Sequence, residues 1–193
     1  MDNVTTKVMI GEVRFSYVHL FTPDQIDDSS EPKYSVSLII PKSNKRLIND
    51  IKAAIDIALE NGVSSKFGGK KPTGWKSPLR DGDLDRPDDN AYANSFFINA
   101  SSRMKPGVVK RDKVLGKNAL VQITDEEEVY SGCYGYASVN FFAFSTAGNK
   151  GVAAGLNNVL KTRDGDYLGG RVSAEADFAD VAAQLNDDNE DLY

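Results

Sequence analysis

Cations and aromatic rings lie side by side in one glycine-rich stretch, KFGGKKPTGWKSPLR, which spans residues 66–80. The cations of this stretch are Lys66, Lys70, Lys71, Lys76 and Arg80, and its larger rings are Phe67 and Trp75. Flexible cations can follow a chain of phosphates, and rings can stack on unpaired bases at about 1 to 3 kcal/mol per base. A solvated loop whose tryptophan packs into the core would show the same composition. The stretch therefore indicates either a nucleic-acid-binding loop or an ordinary surface loop.

A second basic run follows a strand-like segment, SFFINAS, at 95–101. Its cations are Arg103, Lys105, Lys110, Arg111, Lys113 and Lys117. Two cationic stretches next to aromatic strand segments are typical of a surface that binds a polyanion. The second run therefore favours the nucleic-acid interpretation of the first.

Six of the eighteen aromatic residues fall within 130–145, a stretch with the period of a β-strand. From position 133 on, the odd positions are small or apolar and include Phe141, so this face is predicted to be core. The rings on the even face are Tyr134, Tyr136, Phe142 and Phe144. This face would either pack under a loop or stack against bases. The two tyrosines suit stacking better than the two phenylalanines, because they also carry a polar group.

The net charge of −5 conceals a basic body and an acidic end. Residues 172–193 carry seven acids and no Lys or Arg, whereas 33–117 carry 17 basic against 9 acidic residues, a net charge of +8. The last acids and the apolar pair that follows them are Asp187, Asp188, Glu190, Asp191, Leu192 and Tyr193. Such a tail would occupy a basic groove as a mimic of nucleic acid, present its apolar tip to a partner, or only keep the chain in solution.

Composition and missing motifs disfavour several classes of protein. One Cys and one His allow no internal disulfide and none of the usual zinc sites, which fits a reducing cytosol. No phosphate-binding loop, dinucleotide-binding glycine pattern or nucleophile with a nearby base is recognisable, so neither an enzyme nor a cofactor is expected. The sequence begins without a signal-peptide pattern, and no apolar run approaches the roughly 20 residues of a membrane helix. We expect a cytoplasmic protein without membrane contact.

One acidic turn, DGDLDRPDD at 81–89, leaves a catalytic alternative open. Alternate carboxylates can converge on a hard cation, and Asp81, Asp83 and Asp85 would then serve a metal-dependent nuclease. The turn lacks the remaining ligands of an EF-hand loop. Carboxylates paired with nearby Lys and Arg would produce the same pattern, so no metal site is predicted.

The order of the elements predicts a mainly β protein with one main helix. Residues 5–21 read as a long strand with mixed faces that bends at Gly11, and a helix capped by Ser43 spans 44 to about 60. Further strands are expected at 33–40, 95–101, 108–110, 119–123, within 130–145 and at 152–160, and a last helix after Ser173. These elements fit a small antiparallel barrel with one helix packed on it and long loops.

Seven motifs in succession support a more specific assignment. They are PKYSVSLIIPKS (32–43), SPLRDGD (77–83), FFINASS (96–102), PGVV (106–109), VYSGCYGYASVNFFAF (129–144), NKGVAAGLNNV (149–159) and DGDYLGGR (164–171). This succession resembles a family of phage-encoded single-stranded DNA-binding proteins, long classified as a domain of unknown function. The resemblance covers nearly the whole chain, from about Thr5 to Phe178.

The resemblance implies an OB-type barrel over 1–171 that binds the strand, followed by a helix and acidic tail over 172–193. As in the podophage replication single-stranded DNA-binding proteins, the tail would regulate binding and recruit replication proteins. The function implied is sequence-tolerant binding of single-stranded DNA in phage replication, recombination or repair, without catalysis, in the cytoplasm of the infected bacterial host. Besides the DNA, the open alternatives for partners are replication or recombination proteins and a second copy in a homodimer.

The resemblance supplies no DNA contacts, so the candidate site residues come from the rings and cations themselves. The expected base-stacking residues are Tyr17, Trp75, Phe97, Tyr134 and Tyr136. The expected phosphate-binding residues are Lys33, Lys66, Lys70, Lys71, Lys76, Arg103, Lys105, Lys110 and Arg111. The expected regulatory residues are Asp187, Asp188, Glu190, Asp191 and Tyr193. The alternatives are the metal-dependent nuclease and a phage structural or adaptor protein that binds only protein.

Overall fold

Eight strands and one long helix form the ordered frame of residues 5–169, which the computed structural model describes together with Phe178. In chain order the elements are β1 (Lys7–Asp24), β2 (Lys33–Pro41), α1 (Lys45–Ser65), β3 (Arg80–Asp81), α2 (Gly82–Asp85), a 3-10 turn (Asn90–Tyr92), β4 (Ser95–Ser102), β5 (Gly107–Val114), β6 (Lys117–Gln122), a second 3-10 turn (Glu126–Glu128), β7 (Tyr134–Thr146) and β8 (Asn149–Arg163). The helix predicted after Ser173 and the acidic tail lie outside the described residues.

Five of these strands close into a barrel in the order β1, β2, β4, β8, β7 and back to β1. Four of the pairings are antiparallel. The fifth, between β4 and β8, is parallel and joins Ala100 to Ala154 and Ser101 to Gly155. This is the strand arrangement of an OB-type barrel, so the predicted fold class is confirmed, although one pairing is parallel where an antiparallel barrel was expected.

Strand β1 changes the side that faces the core twice along its length. Its buried core residues are first Ile10, then Val13 and Phe15, and further along Leu20. Each change coincides with a shift in register, between 10 and 13 against β7 and between 16 and 19 against β2. A bulge inserts a residue into one strand and bends it. The first shift lies at Gly11, where a bend was predicted, and the two together explain why neither face of this strand looks polar.

Strand β7 follows the alternation that its sequence predicts. Ala137, Val139 and Phe141 are buried in the main core, and Gly135 is buried beside them. A Cβ on Gly135 would lie 2.1 Å from the carbonyl oxygen of Leu160, so this position accepts only glycine. The even residues of β7 therefore face the outside of the barrel.

Helix α1 packs an apolar stripe across one side of the barrel, against β7, β1 and β8. The buried residues of the stripe are Leu47, Ile48, Ile51, Ala54, Ile55, Ala58, Leu59 and Gly62. Asn44 caps the helix, since its side-chain oxygen accepts from the backbone N–H of Leu47 at 3.3 Å; the predicted cap was Ser43. Among the described residues, no helix is both long enough and apolar enough to cross a bilayer.

The segment after α1 lies along the edges of β4 and β8 before it returns to the barrel. Lys76 pairs with Gly151 of β8, and Arg80 and Asp81 then pair with Phe97 and Phe96 of β4. The predicted long loop is thus anchored to β8 through Lys76 and to β4 through Arg80 and Asp81. These are the two strands that form the parallel pairing of the barrel. Residues 80–92 then fold back over the outer face of β4.

Candidate nucleic-acid interface

A groove of about 440 Å³ runs over the outer face of β1, β2 and β4, below the loop that joins β1 to β2. Its lining residues are Tyr17, His19, Asp24, Ile26, Ser30, Glu31, Lys33, Ser35, Val36, Ser37, Arg86, Asn99, Ala100, Ser101 and Arg103. The second and third strands of an OB barrel and the loop after its first strand are where this fold binds oligonucleotides. We call this the first groove.

The floor of the first groove consists of short polar side chains because β2 and β4 alternate strictly. On β2, Ser35 and Ser37 face outward while Val36 and Leu38 fill the core, and on β4 the same alternation applies. The outward residues of β4 that line the groove are Asn99 and Ser101. The hydroxyls of Ser35 and Ser101 and the amide of Asn99 can donate and accept, so they can form hydrogen bonds with sugars or base edges of any sequence. Ser37 is only 2% exposed, and its Oγ accepts from Tyr92 Oη at 3.0 Å.

Tyr17 and Arg86 form one wall of the first groove. Tyr17 lies at the second bulge of β1 with a φ of 47°, and the residue is 51% exposed. The Arg86 guanidinium lies 4.9 Å from the centre of the Tyr17 ring and donates through Nη1 to Tyr17 Oη at 3.1 Å. It also lies 4.9 Å from the ring of Tyr92 and 5.4 Å from that of Phe97. The arginine thus fixes the orientation of an exposed ring.

A second groove, of about 820 Å³, crosses the outer face of β4, β8 and β7. Its floor on β8 contains the small residues Ala153 and Gly155, and its wall on β7 contains Phe142 and Phe144. Phe142 is 47% exposed, and a Cβ on Gly155 would come within 3.3 Å of its ring. One part of the Phe142 ring therefore rests on backbone while the rest is open to solvent.

The two grooves meet at Lys33, Ser101 and Arg103, which line both of them. Lys33 begins β2, and Arg103 directly follows β4, so the fold holds both cations at the same end of the barrel. A path for a linear polyanion therefore leads from Tyr17 past two cations to Phe142. Positive charges along such a path attract phosphates and release their counterions.

Arg103 already has an acidic partner in the first groove. Its Nε lies 2.6 Å from Oε2 of Glu31, on the loop between β1 and β2, and the Arg103 side chain is 73% exposed. A phosphate that binds Arg103 through Nε would replace this carboxylate. Exposed ion pairs contribute only about 0 to 1 kcal/mol, so the exchange is not costly.

The substitution Glu31→Gln is therefore expected to increase the affinity for an oligonucleotide by about two- to fivefold at low salt. Asp28→Asn is the matched control, because it removes the same charge from the same loop at a residue that lines neither groove. Fluorescence anisotropy of a labelled oligonucleotide would measure both. Equal gains in the two variants would show that only the general charge of the loop matters.

Phe97 is completely buried, which corrects its prediction as a base-stacking residue. It does face the outside of β4, but residues 80–92 cover it. Tyr92 packs against it edge-on, with 5.0 Å between the ring centres, and the guanidinium of Arg80 lies 4.9 Å from its centre. Trp75 is partly buried against the main core and lines neither groove, as expected for a surface loop whose tryptophan packs inward.

Tyr134 and Tyr136 are partly buried on the outer face of β7, away from the grooves. The guanidinium of Arg163 lies 3.6 Å from the centre of the Tyr134 ring, and that of Arg14 lies 5.7 Å from it. The Tyr136 ring packs against Gly11, where a Cβ would come within 2.4 Å of it. The structure thus places Phe142 and Phe144 of β7, rather than its tyrosines, in a groove.

The predicted phosphate-binding cations are divided between the grooves and other surfaces. Lys33 and Arg103 lie at the junction of the grooves, and Lys105 lies 5.8 Å from the ring of Phe21. The cations that line neither groove are Lys66, Lys70, Lys71, Lys76, Lys105, Lys110 and Arg111. Lys110 bonds to Glu128 at 2.5 Å, which raises the pKa of Lys110. The predicted regulatory residues of the tail lie beyond the described part of the chain.

The acidic turn of the nuclease alternative is occupied by cations of the protein itself. Lys42 Nζ lies 2.7 Å from Asp81 and 2.7 Å from Asp83, and Arg80 Nε lies 2.8 Å from Asp85. The Lys42 ammonium lowers the pKa of the Asp83 carboxyl. Within residues 5–169 and Phe178, no three His, Cys, Asp or Glu side chains are grouped closely enough to hold a metal ion. The turn thus matches the salt-bridged alternative.

Sequence reasoning missed several residues of the grooves. The groove residues that were not among the predicted site residues include Ser35, Ser37, Arg86, Asn99, Ser101, Phe142 and Phe144. The polar residues of β2 and β4 had a usable signal, because they alternate with apolar residues. Arg86 had no such signal in the sequence, since it lies within an acidic turn. It reaches Tyr17 only because residues 80–92 fold back over β4.

A closed OB-type barrel with a polar, cationic groove over its second and third strands defines the class of OB-fold nucleic-acid-binding proteins. The family model described as "Enterobacter phage Enc34, ssDNA-binding protein" matches residues 6–192. The chain therefore belongs to the Enc34 single-stranded DNA-binding protein family, as its motifs had suggested.

Known proteins of phage origin are similar to the chain along most of its length. Putative protein p50 of Acyrthosiphon pisum secondary endosymbiont phage 1 is 33% identical over 186 residues, which cover 91% of this chain and 94% of that protein. The single-stranded DNA-binding protein of bacteriophage Enc34, solved in complex with ssDNA, is 27% identical with a TM-score of 0.74, covering 85% of this chain and 90% of that one.

A more distant structure shares the fold. The single-stranded DNA-binding protein gp2.5 of bacteriophage T7 has a TM-score of 0.54 at 16% identity, covering 90% of this chain and 93% of that one. At this identity the likeness concerns the architecture alone.

Proposed function

We propose that this protein binds single-stranded DNA along the two connected grooves, without preference for sequence. The observation that carries the proposal is the continuous path from Tyr17, across Lys33 and Arg103, to Phe142. Membership of a family named for binding ssDNA supports it, as does the similarity to an Enc34 protein solved with ssDNA.

Each part of the path has a separate task in this proposal. Lys33 and Arg103 hold phosphates, and the rings of Tyr17 and Phe142 stack on bases at about 1 to 3 kcal/mol per base. Every base has a flat face, so stacking does not depend on sequence. A base pair within a duplex keeps its faces stacked on its neighbours, so the same rings would contribute little to duplex binding.

The experiment that tests this proposal is a titration of labelled oligo-dT, followed by fluorescence anisotropy, with single-stranded and duplex competitors. Trp75 lines neither groove, so its own fluorescence is the weaker reporter. Single-stranded DNA should compete strongly, duplex weakly, and the logarithm of the binding constant should fall linearly with that of salt. Tight binding to duplex with none to oligo-dT would refute the proposal, and binding to neither would favour an adaptor that binds only protein.

The biological setting is part of the same proposal. We place the protein in replication, recombination or repair of phage DNA, in the cytoplasm of the infected bacterial host, as a binding protein without catalytic activity. Its charge distribution fits this setting, since residues 33–117 carry a net charge of +8, which attracts the phosphates of a single strand.

The acidic tail would regulate binding in this proposal, by competing with DNA for the cations of the grooves and by recruiting replication proteins. Removal of residues 186–193 eliminates Asp187, Asp188, Glu190, Asp191 and Tyr193. The truncated protein should bind oligo-dT more tightly at low salt, and the difference should shrink as salt screens the tail. If the affinity at low salt is unchanged, the tail does not compete for the groove.

A further inference from the structure

Strands β5 and β6 form a two-stranded ribbon that extends from the edge of the barrel. β5 pairs with β8 only through its first half, from Gly107 to Lys110, and β6 pairs with β5 alone. Beyond Lys110 the ribbon therefore has two solvated faces. The positions of its residues follow from the register, because Val108 and Val159 are paired and both buried in the core.

The two faces of the ribbon differ in charge. The outer face carries Val109, Arg111 and Lys113 on β5 and Asn118, Leu120 and Gln122 on β6. The inner face carries Lys110, Asp112 and Val114 on β5 and Lys117, Ala119 and Val121 on β6. Within residues 107–122 the one carboxylate is Asp112, on the inner face, where Lys110 is also bound by Glu128. The outer face thus combines two cations, two amides and the exposed Leu120, without an acid.

The outer face of the ribbon continues the face that carries the second groove. Val109 pairs with Leu160 of β8, and Leu160 pairs with Tyr136 on the outer face of β7. Arg111 follows Lys110, which is paired with Lys161, so it lies about level with residue 162. Along β8, the distance from Asn157 in the second groove to the level of Arg111 is roughly 16 Å, at about 3.3 Å per residue.

We propose that this outer face of the ribbon is a third part of the DNA surface, which binds the strand where it leaves the second groove. Arg111 and Lys113 would contact phosphates, and Leu120 would give an apolar contact to a base. The inference rests on the proposed function, because it assigns the ribbon to the same strand of DNA. The ribbon would then contribute to the affinity only for oligonucleotides long enough to extend beyond the second groove.

The test compares variants on the two faces with oligo-dT of increasing length. Lys113 and Lys117 lie in neighbouring pairs of the same ribbon but on opposite faces, so Lys113→Ala and Lys117→Ala remove the same charge from nearly the same place. The double variant Arg111→Ala/Lys113→Ala should bind long oligo-dT about tenfold more weakly, and its salt slope should be smaller by about 1.4, at roughly 0.7 per phosphate contact. Short oligo-dT, which covers only the grooves, should bind it as it binds the wild type, and Lys117→Ala should resemble the wild type at every length.

Three results would overturn the inference. Equal losses in Lys113→Ala and Lys117→Ala would assign the effect to net charge, and losses independent of length would place it in the grooves. A change in sedimentation of the free protein without a change in DNA affinity would assign this face to contacts with a second copy. Failure of the proposed function would look different, because the wild type itself would then bind oligo-dT at no length.

Discussion

Replacing Lys33 and Arg103 together with alanine is expected to weaken the binding of oligo-dT by about a hundredfold. The two side chains are the cations common to both grooves, so every strand that occupies the path must pass them. A hydrogen bond to a charged group contributes about 1.5 to 3 kcal/mol, and about 1.4 kcal/mol corresponds to a factor of ten. The plot of the logarithm of the binding constant against the logarithm of the salt concentration should also become less steep, by about 1.4 in its slope. Anisotropy titrations at several salt concentrations would measure both quantities.

The matched control for this pair is Lys45→Ala/Arg46→Ala. Both residues are exposed in the first turn of α1 and line neither groove, and their removal changes the net charge by the same amount. We expect less than about a threefold loss of affinity from this control, through the long-range field alone. A loss equal to that of the groove variant would show that net charge, not position, determines binding. Thermal unfolding of both variants would establish that the barrel is intact.

Phe142→Ala is expected to reduce affinity for oligo-dT by about 5- to 150-fold, which corresponds to the 1 to 3 kcal/mol of one base stacked on one ring. The ring is held against Gly155 and is 47% exposed, so a base can reach it without a rearrangement of the protein. Phe142→Leu should lose most of the same affinity, because leucine keeps apolar volume but offers no flat face. Equal binding by the leucine variant and the wild type would mean that the contact is merely apolar.

Tyr134→Leu is the informative comparison on the same strand. The guanidinium groups of Arg163 and Arg14 lie 3.6 Å and 5.7 Å from the centre of the Tyr134 ring, which lines neither groove. The substitution should lower the free energy of unfolding and leave the affinity for oligo-dT within about threefold of the wild type. If Tyr134→Leu weakens the binding of short oligo-dT as much as Phe142→Ala does, the strand of DNA passes Tyr134 and the path from Tyr17 to Phe142 is misplaced.

The parts of the fold that follow from local alternation could be predicted from the sequence. The core face of β7, with Phe141, and the apolar stripe of α1 depend on periods of 2 and 3.6 residues that any reader of the chain can see. The long β1 could be recognised as bent at Gly11, although not as bulged a second time at Tyr17. Bulges change which residues face the core without leaving a clear signal in composition.

The residues that line the grooves could be predicted only in part, because their positions depend on contacts between residues that are distant in the sequence. Lys33 and Arg103 were recognised as cations, but their shared position requires the register of β2 with β4. Phe97 has the sequence features of a surface ring and is buried because Tyr92 and Arg86 return to cover it. Tyr134 similarly meets Arg163 through the pairing of β7 with β8, twenty-nine positions later in the chain.

The parallel closure of the barrel has a mechanical consequence. The seam between β4 and β8 consists of two residue pairs, and Ser101, a member of one of them, lines both grooves. The shortest strand pairing of the barrel is thus the one that a bound DNA strand would cross. Because a ligand that binds only the folded state stabilises it, DNA bound from Lys33 to Phe142 would stabilise the pairing of β4 with β8. On the proposed path, bound DNA would therefore make the barrel open less often than it does in the free protein.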